Sequence, residues 1–208
     1  MTPTRRDAIL RAATERFGRD GYEDTKWADI AADVGVGPTA LYHYFESKQH
    51  CLYVILDEAI AHFRQRFDEL TAAHPDPVDA LHAVFADCFE LSEFEVLRNR
   101  LLVAEQGLLS TRRTSPREEQ ARQAARARTR DLEFQYATFL SNAMQRGAIP
   151  SNDPRLLARA VLGLYNSIWT WYRPHGIVEL PTVAEFYVDR MLAVIGVAPR
   201  PMPARMAA

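Results

Sequence analysis

Residues 25–48, TKWADIAADVGVGPTALYHYFESK, decide how this chain is read. Trp27, Ile30, Ala31 and Val34 recur at helical spacing, so the segment from about Lys26 to Asp33 is expected to be a short helix with Thr25 as its cap. Gly35 stands where a chain reversing between two short helices needs positive φ. Gly37 then takes an N-cap position and Pro38 the first helical position, where its missing N–H costs nothing. The next helix, Pro38 to about Phe45, turns Leu41 and Phe45 inward and presents Thr39, Tyr42 and Tyr44. Two short helices about a glycine turn, the second with polar and aromatic groups outward, build a helix-turn-helix that fits the major groove of DNA. Of the 25 Lys and Arg residues only Lys26 and Lys48 are lysines, and both lie in this stretch.

Working outward, a first helix covers about Arg5 to Arg19, with Ile9, Ala12, Ala13 and Phe17 on one face and Leu10 beside them. Gly18 and Gly21 read as stop signals, Gly21 as a left-handed C-cap, and Tyr22 as a core plug. Ser47 caps a long fourth helix running toward Leu70. Residues 3–63 are thus expected to form a three-helix head that shares the start of the fourth helix, with the helix-turn-helix at 26–45. Asp76-Pro77 opens a fifth helix, and a sixth runs from about Glu93 to Leu109. Ser115-Pro116-Arg117-Glu118 has capping-box spacing and opens a seventh, which extends to about Arg146. Asp153-Pro154 begins an eighth, to about Tyr172. The spacing Thr182 to Glu185 predicts the start of a ninth, ending near Val194–Gly196. No strand alternation occurs, so the chain reads as all-α with about nine helices. Residues 64–196 form the expected body, and 197–208 carry no packing pattern and read as a disordered tail.

Composition narrows the function classes. Hydrophobic content of 48% with 25% charge is that of a globular chain with a packed core. Net charge is −2, and residues 1–50 hold seven Lys and Arg against eight acids, so contact with DNA must come from a focused face. There is no run of eighteen apolar residues and no signal-peptide pattern at the start, so no membrane partner and a cytoplasmic location are expected. Cys51, Cys88 and six scattered histidines lack metal-ligand spacing, so neither a metal nor a cofactor is expected. An enzyme would need a nucleophile, an acid–base pair or a metal constellation, and none is apparent.

The first fifty residues resemble the DNA-binding domain of the TetR family of bacterial transcriptional regulators. The resemblance runs through Ile9, Leu10, Ala12, Ala13, Phe17, Gly21, Tyr22, Thr25, Asp29-Ile30-Ala31, Val34-Gly35-Val36, Leu41-Tyr42, Tyr44-Phe45 and Ser47-Lys48. Two positions depart from the family pattern: Gly37 where a serine is common, which weakens capping, and Ala28 where an arginine is common, which removes a phosphate contact. The resemblance implies that the third helix enters the major groove of an operator duplex. Thr25, Tyr42, Tyr44 and Lys48 would then contact phosphates, and Lys26, Gly37, Pro38 and Thr39 would face base edges. Tyr42 packing on the first helix, Trp27 as core and Pro38 as a mere helix starter are the structural alternatives.

For the body, the resemblance implies a small-molecule effector site and a homodimer built on the last two large helices. Leu156, Ala160, Gly163 and Ser167 recur at successive turns of the eighth helix as a stripe that lets another helix approach, and Phe186, Arg190 and Val194 share one side of the ninth. Completion of a monomeric core is the alternative. Phe85, Phe89, Phe94, Trp169, Trp171 and Tyr172 read either as solid core or as the lining of a hydrophobic effector site. Residues 112–131 carry seven arginines, with Arg122, Arg126 and Arg130 four apart; they form either a solvated face or a phosphate clamp for an acyl-coenzyme A thioester. The expected function is a ligand-responsive repressor, with a ligand-independent activator or architectural protein as the alternative and an all-α enzyme more distant.

Overall fold

A computed structural model describes residues 4–198. The described residues form α1 (Arg5–Asp20), α2 (Trp27–Asp33), α3 (Pro38–Tyr44), α4 (Lys48–Ala73), α5 (Pro77–Asp87), α6 (Glu93–Ala104), a 3-10 turn (Gln106–Ser110), α7 (Pro116–Gln145), α8 (Pro154–Trp171) and α9 (Leu180–Val194). No strand occurs among them, and the fold is all-α as expected. No helix among the described residues is long and apolar enough to cross a membrane.

Helix starts follow local chemistry. Thr4 and Asp7 form a reciprocal capping box on α1. Asp76 and Asp153 accept from the first free N–H groups of α5 and α8, each with proline in the first turn. Three expectations shift. Gly18 lies inside α1 and does not stop it; Gly21 ends the helix with φ 96° but an extended ψ of 147°, outside the left-handed helical region. The sixth helix stops at Ala104, and its expected last turn is the tighter 3-10 piece. The ninth starts at Leu180 with Glu179 as N-cap, because Pro181 fits only a first turn; Thr182 and Glu185 therefore lie within the helix.

The chain divides into two compact units, one of Met1–Ala61 and Glu93–Thr129, the other of His62–Ser92 and Arg130–Ala208. The helices α4 and α7 each contribute to both. In the first unit Ile9, Phe17, Ile30, Leu41, Phe45, Leu52 and Leu56 are buried, each burial contributing about 1.5–3 kcal/mol. There α1 crosses α6 at Gly18, where a Cβ would lie 2.7 Å from Leu97 Cβ and 2.9 Å from its carbonyl oxygen. The second unit buries Leu81, Phe85, Phe89, Leu140, Val161, Ile168, Trp169 and Met191. Val197 is also buried, and its N–H bonds to Leu192 O at 3.0 Å, so the packed chain extends through it. Residues 199–208 of the expected tail lie outside the described residues.

Candidate nucleic-acid interface

The outward face of α3 follows from what α3 must bury. Leu41 and Phe45 are inaccessible to solvent, and Phe45 is held by an edge-on contact with His50 at 5.8 Å. With those two fixed, helical geometry turns Gly37, Pro38, Thr39, Tyr42, His43 and Tyr44 to the outside, and all six are exposed. Gly35 makes the turn at φ 65°, and Gly37 is the N-cap with Pro38 behind it. Tyr42 is 54% exposed, so packing against α1 is not its role. His43, one turn beyond Thr39, belongs to the same exposed group and was not singled out in the sequence; its spacing from Thr39 was the available signal.

Thr25 and Lys48 sit differently. Thr25 is buried and donates its hydroxyl to Gly21 O at 2.7 Å, while Lys26 takes the N-cap position of α2 and is exposed. The Lys48 ammonium donates to the carbonyls of Tyr22 (2.6 Å), Thr25 (3.0 Å) and Glu23 (3.3 Å) and lies 4.3 Å from the centre of the Tyr22 ring. These three carbonyls match the three donors of an ammonium. Both side chains thus secure the α1–α2 loop. Trp27 is half-buried, between the core and contact readings.

The arginines of the head are largely neutralised within it. Arg16 forms a forked pair with Asp33 at 2.6 and 2.8 Å, which holds the Asp33 carboxyl below its usual range, and Arg6 meets Glu58 at 3.0 Å. Such exposed pairs add little stability, but they cancel charge. The head therefore offers a shaped face on α3 and not a basic surface.

The residues expected to bind an effector are divided between the two units. Phe85, Phe89, Trp169 and Tyr172 are buried in the second unit, where Phe89 and Trp169 both meet Tyr165 edge-on, at 5.8 and 5.4 Å. The Tyr165 hydroxyl donates to Cys88 O at 3.0 Å, and burial pushes the Cys88 thiol up to about 12. Trp171 instead is 45% exposed and stacks toward Tyr187 at 6.5 Å. Phe94 belongs to the first unit, under the Arg11 guanidinium at 4.8 Å, beside an open cleft of about 420 Å³ that Leu10, Ile55 and Ala59 also line. Arg122 is buried, paired with Glu119 at 2.7 and 2.8 Å and donating to Leu109 O, whereas Arg126 and Arg130 are exposed. Arg122 therefore fastens the start of α7 and does not share a solvated face with the other two.

In the second unit, Leu156, Ala160, Gly163 and Ser167 of α8 are exposed, as are Phe186, Arg190 and Val194 of α9. Leu156 is 61% exposed and Phe186 is 52% exposed, the latter beneath the Arg190 guanidinium at 3.7 Å.

Comparison with known proteins gives this arrangement a family. The model of the bacterial regulatory proteins of the tetR family matches residues 9–53, and that of the tetracyclin repressor-like C-terminal domain matches residues 104–195. The repressor KstR2 of Mycolicibacterium smegmatis is 24% identical over 92% of this chain and 91% of its own length. The TetR-family regulator PfmR of Thermus thermophilus superposes with a TM-score of 0.71 at 29% identity, covering 92% of this chain and 99% of that one. The regulator AibR, in complex with isovaleryl coenzyme A and operator DNA, has the same fold, with a TM-score of 0.73 at 24% identity over 90% of this chain and 98% of that one. The chain belongs to the TetR family and is a helix-turn-helix DNA-binding transcriptional regulator.

Proposed function

We propose that the protein is a cytoplasmic, non-catalytic repressor that binds an operator as a homodimer and leaves it when a small hydrophobic or acyl-coenzyme A effector binds the body. The observation that carries this reading is the exposed face of α3, where Pro38, Thr39, Tyr42, His43 and Tyr44 stand out from a helix anchored by Leu41 and Phe45. Thr39, Gly37 and Pro38 approach base edges, Lys26 lies at the rim, and Tyr42 and Tyr44 reach phosphates. Thr25 and Lys48 act from behind by holding the loop that carries α2.

The exposed stripes of α8 and α9 supply the dimer seam. Small residues on α8 admit a close helix, and Phe186 with Val194 adds apolar area. Twofold symmetry then demands two half-sites of matching sequence. Support for the effector class comes from AibR, solved with isovaleryl coenzyme A, and from the aromatic interior of the second unit. Effector release requires only that the ligand prefer the conformation with low operator affinity.

Selection of duplexes from a random pool, followed by footprinting, tests the reading. Two symmetric half-sites are expected, with affinity falling steeply as salt rises. Isovaleryl coenzyme A and longer acyl-coenzyme A thioesters should weaken the footprint. Failure to enrich any sequence would remove the repressor reading, while enrichment with no response to any thioester would remove the acyl-coenzyme A effector and leave only a small hydrophobic one.

A further inference from the structure

Within the first unit, α4 and α7 exchange the groups that cap them. The Ser47 hydroxyl receives the His50 N–H at 3.0 Å and so caps α4. It also donates its own proton to Glu118 Oε1, on the first turn of α7. Ser115 mirrors this: its oxygen faces the Glu118 N–H at 3.4 Å, and its proton goes to Glu46 Oε1, just ahead of α4. The Glu46 N–H is directed to His50 Nδ1 at 3.3 Å. A serine hydroxyl has one donor and two acceptor sites, so each serine can cap its own helix and hold the other. Both carboxylates lie at helix N-termini, where the backbone dipoles favour negative charge.

A second tie lies behind the first. Tyr53 of α4 is fully buried, and its hydroxyl receives Arg113 Nε at 2.8 Å and Gln49 Nε2 at 3.0 Å while donating to Leu108 O at 3.2 Å. Glu119 receives the Arg113 N–H at 2.9 Å and the forked Arg122 guanidinium. The segment entering α7 is thereby fixed to the start of α4.

Only Phe45 separates Glu46 from Tyr44, the last residue of α3. Whatever holds residues 46 and 47 therefore holds the exit of the helix that presents Thr39 and Tyr42. Capping alone requires only the serine oxygen, so donation across to the other helix adds register and not helix stability. We propose that Ser115 and Glu118 are positioning residues for operator recognition: through Glu46 and Ser47 they set the angle at which α3 is presented. They touch no DNA themselves. The inference rests on the operator-binding reading and assigns it residues about seventy positions beyond the helix-turn-helix.

The test uses a duplex selected by the wild-type protein and fluorescence anisotropy at a temperature where every variant is folded by circular dichroism. Glu118→Ala should bind about tenfold more weakly, within the usual range of coupling between sites, with its salt slope unchanged because no phosphate contact is lost. Glu118→Gln, which keeps an acceptor for Ser47, should stay within about threefold of wild type. Ser115→Thr and Ser115→Val, alike in shape and different in the hydroxyl, give the same comparison if Glu118→Ala does not fold; Thr should bind as wild type and Val should not. A wild-type protein that selects no duplex would overturn the operator reading together with this proposal. Folded Glu118→Ala and Ser115→Val proteins with wild-type affinity would overturn this proposal alone.

Discussion

At the scale of single residues, Lys48 shows how position and role separate. Its charge was legible in the sequence, but the carbonyls of Tyr22, Glu23 and Thr25 around its ammonium were not, because they belong to a loop whose path only the folded chain defines. Lys48→Met should lower unfolding stability by about 1.5–3 kcal/mol, the usual worth of hydrogen bonds to a charged group, as read by urea titration. Its salt slope of DNA binding should match wild type, since a lost phosphate contact would reduce that slope by about one. Gly18 is the converse case. The sequence offered it as a helix stop, yet it lies mid-helix, where α6 comes so close that any Cβ meets Leu97. Gly18→Ala should destabilise by roughly 1–3 kcal/mol through overpacking, measurable as a lower thermal midpoint.

At the scale of elements, starts marked by Asp-Pro were read correctly because cap and first turn are local in sequence. The start of α7 was half legible. Ser115 does face the Glu118 N–H, but the Glu118 carboxylate serves Ser47, a partner no local pattern could reveal. Arg122 is similar: one face of arginines was expected, and burial of one of them reflects the carbonyl of Leu109 and the carboxylate of Glu119 waiting there. That carboxylate gives α7 an acid-sensitive anchor. Hydrogen bonds from Arg122 first, then from the Arg113 N–H and Gln123, hold the Glu119 carboxyl well below its usual range. A lowered folded-state value means stabilisation that is complete above the unfolded value of about 4.3 and is lost as pH falls through the folded one. Urea midpoints of the wild type should therefore fall more steeply below about pH 4.3 than those of Glu119→Gln. Parallel acid limbs would exclude the anchor.

At the scale of the whole molecule, the all-α class and the order of helices were legible because hydrophobic period and helix stops agree along the entire chain. The effector residues were less so. Aromatic spacing cannot tell interior from lining, and the structure puts Phe94 in one unit, Phe89 and Trp169 in the other, and Trp171 on an exposed face. The stripe on α8 and α9 rests on a different argument, since helices apolar on two sides require two packing surfaces, and its residues are exposed. Phe186→Glu should shift sedimentation toward monomer by at least about thirtyfold in dissociation constant, as expected of a central aromatic anchor, while keeping its helical content.

The face of α3 carries the central claim, and the double variant Thr39→Ala/Tyr42→Ala tests it most directly. Both side chains are exposed, so the variant should keep the wild-type unfolding midpoint and oligomeric state. Its dissociation constant for the duplex selected by wild type should rise at least about tenfold, given about 1–3 kcal/mol for a specific base contact. A folded double variant that binds this duplex with wild-type affinity would contradict the account.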